Sequence, residues 1–345
     1  MNRVAILALG VSFLLISSPG AQAQLLQSTS KVGTTAAQFL KIGAGARSLG
    51  LGGAFAAIGG DINSIYWNPA GVARIPGSGE VTFNHANWLA DINYDFAAVA
   101  INLGDFGTIG GSFISFRVPE DIVRTLENPE GDGRSFDAAS IAIAVSYARN
   151  LTDRFSIGFT GKFIGERIWN ERSQGFALDI GTLYRTPFND LTIGASISNF
   201  GSKLQMEGRD VLFNRDINQT NEGGPRNVPA EFVLGKYEIP LTFRIGLAMD
   251  LWNQSDIRVT AAADATHPND NTEYVNGGLE VSYSEVLFGR IGYKSTFLRD
   301  SEQGLTWGVG LHYKIINDVD IKIDYAFADY GRLKNVQFLS VGLQY

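Results

Sequence analysis

The sequence predicts an all-β fold: a transmembrane antiparallel β-barrel of about fourteen strands, with an N-terminal glycine-rich segment plugging its lumen. Three observations carry that expectation. The chain opens with an export signal. From residue 80 onward it repeats short segments that alternate apolar with polar or small residues. The connections between those segments alternate between tight and long.

Residues 1–23 read as the export signal. Arg3 supplies a basic start, Val4 to Ile16 an apolar run, and Ala21-Gln22-Ala23 an A-x-A cleavage pattern. The run is short for a membrane anchor and lacks stop-transfer charges. The residue after the cleavage point is Gln24 and the chain has no Cys, which excludes a lipoprotein anchor and a disulfide framework. No later apolar run approaches the ~20 residues that a spanning helix needs. A chain without such a run crosses a bilayer only as a closed barrel, which satisfies every backbone group. The net charge of −7 argues against nucleic acid as a partner.

The predicted strands are 80–88, 94–103, 107–117, 136–149, 154–166, 173–185, 190–200, 240–251, 256–266, 274–284, 286–296, 303–315, 318–328 and 335–345. Each has period two. Ile141, Ile143, Val145 and Tyr147 share one face, opposite Ser140, Ala142, Ala144 and Ser146. Phe243, Ile245, Leu247, Met249 and Leu251 oppose Arg244 and Asp250. Leu305, Trp307, Val309, Leu311 and Tyr313 oppose Thr306, Gly308, Gly310, His312 and Lys314. Tight connections at 104–106, 150–153, 186–189, 253–255 and 316–317 fall on the even-numbered turns, as expected for the periplasmic side of a barrel. Longer ones, at 118–135 and above all 201–239, face outward.

A secreted sandwich or propeller also alternates. The polar faces argue for the barrel. They hold small residues and charges of both signs: Lys162, Asp179, Arg185, Arg244, Asp250, Arg258, Asp264, Glu280, Arg290, Lys294, Lys322 and Asp324. The apolar faces are nearly free of charge. These charges are expected to line the lumen as cross-strand pairs. Tyr147, Tyr184, Trp252, Tyr283, Tyr313 and Tyr330 sit near segment ends, where interfacial girdles against membrane lipid belong. The last strand places Leu339, Val341, Leu343 and Tyr345 on one face. Leu343 and Tyr345 are similar to the terminal signal by which barrel-assembly machinery recognises its clients.

Ahead of the strands, Gly43 to Gly71 reads GAGARSLGLGGAFAAIGGDINSIYWNPAG and contains eight glycines. Residues 24–78 hold too few strand signals to join the wall, and a periplasmic extension is the alternative to a plug. Gly52, Gly53, Gly59 and Gly60 allow close backbone approach to the inner face of the barrel. Arg47 and Asp61 are placed to meet lumen charges. Asn68 ahead of Pro69 marks a turn or a helix start. The domain reading is therefore a signal at 1–23, a plug at 24–78 and a barrel at 79–345.

The run Ala36 to Arg47 (AAQFLKIGAGAR), the Gly50 to Phe55 stretch, Asp61, and Trp67-Asn68-Pro69-Ala70-Gly71 together resemble the N-terminus of the PorV/PorQ family, within the FadL-like barrel superfamily. Beyond residue 75 the resemblance is one of architecture. It implies a non-enzymatic outer-membrane protein without cofactors. Its best-known members serve type IX secretion, receiving cargo with a C-terminal domain and passing it from the translocon to the attachment machinery. In the wider superfamily, barrels carry hydrophobic compounds and an N-terminal hatch fills the lumen.

No catalytic constellation stands out. His85, His267 and His312 lie in separate segments, and Gly50 to Phe55 lacks G-x-G-x-x-G spacing. Asp264, His267, Asp270 and Glu273 suggest a cation site in an outer loop, with a solvated polar loop as the favoured reading and no metal expected. The loops 118–135 (VPEDIVRTLENPEGDGRS) and 201–239, with Phe213, Asn214, Pro225, Pro229 and Phe232, are the candidate partner surfaces.

Overall fold

The computed structural model describes residues 31–216, 227–298, 301–316 and 319–345. The expected signal at 1–23 and Pro225 lie outside the described residues. Fourteen strands make the wall: β1 (Gly79–Asn87), β2 (Asn93–Asn102), β3 (Thr108–Ile122), β4 (Ser135–Thr152), β5 (Phe155–Ile168), β6 (Glu171–Arg185), β7 (Thr192–Gly201), β8 (Thr242–Gln254), β9 (Ile257–Pro268), β10 (Tyr274–Tyr283), β11 (Leu287–Thr296), β12 (Leu305–Ile316), β13 (Val319–Asp329) and β14 (Asn335–Gln344). Each pairs antiparallel with its sequence neighbours. β1 then pairs with β14, Val81 opposite Leu343 and Ala86 opposite Phe338, and the sheet closes on itself. Closure leaves no wall strand as an unpaired edge.

Burial is inverted relative to a water-soluble protein. On β8, Arg244 is 7% exposed while Ile245 and Leu247 are each 45% exposed. The same alternation runs round the wall, with Ile143, Val145, Leu178, Ile180, Val281, Trp307, Val309 and Val341 all outward. An apolar surface this continuous is far larger than soluble monomers expose. It matches a hydrocarbon environment, in which the closed ladder already satisfies the backbone. Tyr147, Tyr184, Trp252, Tyr283 and Tyr313 are exposed, each near the end of its strand that leads into a short turn. They ring one rim of the band. Tyr330 does not belong to that ring. It is buried, with its ring 5.1 Å from Trp88 in an edge-on contact, because it continues the inward parity of Ala326 and Ala328.

The two rims differ, with one departure from the expected parity. β5 and β6 are joined only by Trp169 and Asn170, although they meet on the long-loop side. There β3 to β6 themselves extend, so the projection is paired strand rather than loop. The 118–135 connection is shortened for the same reason, since β3 runs to Ile122 and β4 starts at Ser135. The 201–239 connection carries a small hairpin, Leu212–Arg215 against Val228–Glu231, with Phe213 stacked on Phe232 at 4.6 Å.

Candidate functional site

The interior is where the sequence concentrates its polar and glycine residues, and the N-terminal segment lies against it. Thr35 bridges Glu238, and a 3-10 turn at Gln38–Lys41 follows. Two short helices come next, α1 (Ala46–Gly50) and α2 (Ser64–Trp67). A 3-10 helix at Pro69–Arg74 leads into β1. Ala44, Ala46, Phe55, Ala56, Ile62 and Val72 are fully buried.

What lets a backbone sit there is glycine on the wall. Inward positions of eight strands are Gly110, Gly158, Gly181, Gly194, Gly246, Gly278, Gly292 and Gly308. A Cβ at Gly278 would lie 2.5 Å from the carbonyl oxygen of Leu51. At Gly110 it would lie 2.9 Å from Cδ1 of Ile65. Gly158 faces Pro69, Gly181 faces Asn68, Gly194 faces Ala56 and Gly292 faces Gly52. Gly52, at positive φ, in turn approaches the carbonyls of Tyr293 and Gly277 within 2.8–2.9 Å of where its own Cβ would be. Gly53 packs mainly on Trp67, and Gly60 lies against Arg74 of the same segment.

The Trp67 to Gly71 run is hydrogen-bonded to two strands, β6 and β7. The Asn68 side chain accepts from the Ala70 N–H, which caps the 3-10 helix, and donates to the carbonyls of Ala56 (2.6 Å) and Thr182 (3.0 Å). Trp67 donates to the Ala44 carbonyl, and its own carbonyl accepts from Ser196 Oγ. Pro69 fixes the first helical position. Ala70 is buried beside it, and a Cβ at Gly71 would lie 2.7 Å from Ser64.

Charges form the second layer. Arg47 grips Glu280 on β10 through two hydrogen bonds, 2.7 and 2.9 Å, and Asp61 through a third at 3.0 Å. Glu280 also receives Arg290, which reaches Asp324 at 2.6 Å. Asp324 lies 3.4 Å from His312, whose ring packs on Phe288. Burial raises the Asp61 carboxyl, but the Arg47 and Lys322 charges and the Asn63 N–H outweigh it, so its pKa falls below the ordinary Asp value. Lys322 bonds Glu80 at 2.8 Å, and Lys162 bonds Asp179 at 2.6 Å. Asp264 accepts the backbone N–H groups of Phe55 and Ala56, both at 2.8 Å. Arg244 stacks over Trp67 at 5.4 Å.

Some expected lumen charges lie elsewhere. Asp250 and Arg185 keep inward parity but sit at the short-turn rim, where their side chains are solvent-exposed. Arg258 holds Glu285 of the turn at 2.8 Å and also stands 3.7 Å from buried Glu280, so it joins the lumen network from the rim. The suggested cation loop is neither a cation site nor a solvated loop. Asp264 is inside the barrel. Asp270 is buried and holds Thr35, Gln38 and Lys41. Only His267 and Glu273 pair at the surface. Among the described residues no cluster of three or more metal-ligating side chains occurs. Sequence reasoning missed Asn63, Glu80 and the wall glycines as a set, and it read Asp270 as part of an outer loop rather than as a tie to the N-terminal segment. Glycine recurring on the inward parity of successive strands was the available signal.

The chain matches the family model described as type IX secretion system protein PorV over residues 25–267, well over half its length. Among solved structures it is similar in fold to the CymD monoaromatic hydrocarbon channel, with TM-score 0.53 and 10% identity over 88% of this chain and 96% of that one. It is also similar to the Ralstonia pickettii toluene transporter TbuX (0.52, 11%, 87% and 97%) and to a Pseudomonas aeruginosa FadL homologue (0.52, 12%, 86% and 97%). At such identities the likeness shows the fold alone, a closed antiparallel β-barrel. A comparison with proteins of curated function gave no match.

Proposed function

The chain belongs to the PorV family of type IX secretion proteins, and on that premise we propose that it is an outer-membrane adaptor that handles exported proteins from outside its barrel. The observation that carries this reading is the filled interior. Wall glycines on eight strands meet the N-terminal segment, several of them backbone to backbone. Within the expected 24–78 plug, the described residues 31–78 act as a fixed plug under this reading, Trp67 to Gly71 being the anchor. A lumen packed in this way leaves the outer surfaces to bind partners. Those surfaces are the extended β3–β4 and β5–β6 hairpins and the Leu212–Glu231 hairpin region, where Leu126, Phe232 and Val233 are exposed. The partners under this reading are the secretion translocon and cargo C-terminal domains. Barrel-assembly machinery recognises Leu343 and Tyr345 during biogenesis, and membrane lipid surrounds the wall.

The test is deletion of the gene, followed by fractionation. Cargo bearing the secretion C-terminal domain accumulates in the periplasm, and the tagged barrel co-purifies with translocon components. Normal cargo export in the deletion strain refutes the reading.

A second reading, transport of hydrophobic small molecules, is favoured by one feature. An apolar groove of about 710 Å³ opens on the outer wall, lined by Ile143, Val145, Phe163, Phe176, Leu178 and Phe200. The solved neighbours named as hydrocarbon channels share the fold. Faster uptake of toluene by vesicles carrying this barrel than by empty vesicles supports it, and equal rates count against it.

A further inference from the structure

At the long-loop mouth the inward face of the wall carries an acid that the lumen network leaves out. Glu166, on β5, continues the inward parity of Lys162 and Ile164. It lies directly opposite Ser140 on β4 and Ser173 on β6, so the three side chains form one row. The near neighbours of its carboxylate are neutral: the Ala37 N–H and the hydroxyls of Ser140 and Ser173. Among the described residues no base stands within ion-pair distance of it. Arg167 and Arg172 have the opposite parity, and Arg167 is bound to Asp137. Lys203, at the start of the long connection, is bound to Glu238 at 3.3 Å. Ser173 is 5% exposed, and its hydroxyl oxygen is buried without a hydrogen-bond partner. A buried hydroxyl without a partner and a half-buried acid without a counterion are both costly to the fold.

Glu166 and Ser173 both line a cavity of about 180 Å³. The N-terminal segment closes one side of it through Ala36, whose N–H donates to the Glu238 carbonyl at 2.9 Å. The long connection closes the other with Leu204, Met206, Leu234 and Tyr237. These walls are tied down. Leu204 and Tyr237 exchange two backbone hydrogen bonds, at 2.8 and 2.9 Å, and a Cβ at Gly175 would lie 2.6 Å from Leu204 Cδ2. Gln205 donates to the Leu234 carbonyl at 2.8 Å. At ~30 Å³ for each water, the space equals roughly six waters, or a group of about five or six heavy atoms. An ammonium has three donors and no acceptor. The two oxygens of Glu166 and the hydroxyl oxygen of Ser173 are three acceptors, and the apolar walls suit an aliphatic stem. An anionic guest would meet Glu166 as a like charge, and a purely apolar one would leave both polar groups unpaired.

We propose that this pocket at the long-loop mouth binds a primary ammonium group on a short aliphatic stem, ion-paired to Glu166 and hydrogen-bonded to Ser173. The ammonium belongs either to a free alkylamine or to a lysine side chain of a polypeptide. Its stem lies against Leu204, Leu234 and Tyr237, so the guest joins β5 and β6 to the long connection and to Ala36 of the N-terminal segment. The proposal does not depend on whether the barrel serves secretion or transport.

The experiment uses the full mature protein, folded in neutral detergent. Equilibrium dialysis with labelled n-butylammonium is run at about pH 7.5, where the amine is charged, at constant ionic strength and against a protein-free micelle blank. Wild type is expected to show saturable binding. 1-Pentanol, of the same size without the charge, is expected to compete about tenfold or more weakly than unlabelled butylammonium. Nα-acetyl-lysine methylamide separates the two sources. Competition at least as strong as that of butylammonium assigns the pocket to a lysine side chain, and weaker competition assigns it to a free amine. Glu166→Gln is expected to weaken binding about tenfold or more, and Ser173→Ala about threefold or more. Glu120→Gln, at an exposed position on β3, keeps the wild-type affinity. The gel shift of folded barrels confirms that each variant folds. If Glu166→Gln does not fold, Ser173→Ala and the comparison of butylammonium with pentanol on wild type decide. Binding that never saturates, equal competition by pentanol, or unchanged affinity in Glu166→Gln overturns the proposal.

Discussion

Adding a single methyl group at Gly278 tests whether the interior is packed backbone to backbone. The new Cβ would stand 2.5 Å from Leu51 O and 2.8 Å from Leu51 C and Cα. An ordinary contact begins near 3.4 Å, so the Leu51 peptide must retreat by about 0.9 Å. It has little room to do so. The Leu51 carbonyl accepts the Ala54 N–H at 3.2 Å, and Asp264 holds the N–H groups of the next two residues. Overpacking of this kind costs about 1–3 kcal/mol, and losing one of the buried hydrogen bonds adds about 1–3 kcal/mol. Gly278→Ala should therefore destabilise the barrel by roughly 2–6 kcal/mol, and Gly278→Val by more. Gly289→Ala is the control, because its Cβ would point outward with nothing within 4 Å. Unfolding in urea with the folded-barrel gel shift as readout gives the difference, and trypsin cleavage at Arg47 reports loosening of the segment. Equal midpoints for the Gly278 and Gly289 variants would refute the packing argument.

Three further outcomes follow from the same geometry. Arg47→Met strips Asp61 of its guanidinium partner and Glu280 of one of three, and should cost about 3–5 kcal/mol in the same unfolding assay. An effect below about 1 kcal/mol shows the latch to be unimportant. Asp270 is raised by burial but lowered further by hydrogen bonds from Lys41, Gln38 and Thr35, so its folded pKa lies below the ordinary Asp value. Its stabilising contribution is complete above about pH 4 and fades as pH falls through the folded pKa. The stability gap between wild type and Asp270→Asn should accordingly be widest near pH 6 and shrink steadily as pH falls below about 4, as read from midpoints across that range. In single-Trp variants reconstituted with brominated lipid, Trp252 and Trp307 fluorescence is quenched while buried Trp67 stays bright. Quenching of Trp67 contradicts its place inside the wall.

The wall was legible in the sequence because period-two alternation needs no knowledge of partners. β8 reads correctly from Phe243, Ile245 and Leu247 against Arg244, since each strand reports its own two faces. What single strands do not report is their neighbours. Tyr330 shares residue type with Tyr283 but continues the inward parity of Ala326 and Ala328, so a reading by residue type alone puts it on the wrong face. Asp250 keeps the parity of Arg244 yet ends at the rim, because parity gives a face and not a depth. Asp264 and Asp270 look like one acidic loop in sequence. The end of β9 falls between them and sends one into the barrel and the other to the segment at Lys41. The glycines of the N-terminal stretch were visible as a cluster. Their counterparts on the wall are scattered one or two to a strand, and become a set only when the strands are laid side by side.

That matching of glycines has a bearing on how this barrel can be re-engineered or diversified. A segment that threads between backbones cannot be exchanged as a cassette, since a new stretch ahead of β1 meets methyl groups wherever its carbonyls fall out of step with Gly158, Gly194, Gly278 and Gly292. A one-residue slip in any of these strands would swing its glycine to the lipid side and a bulky neighbour inward. Chimeras between this chain and distant relatives should therefore work only when residues 35–75 travel with their own strands, whereas the hairpins beyond the rim are free to be swapped.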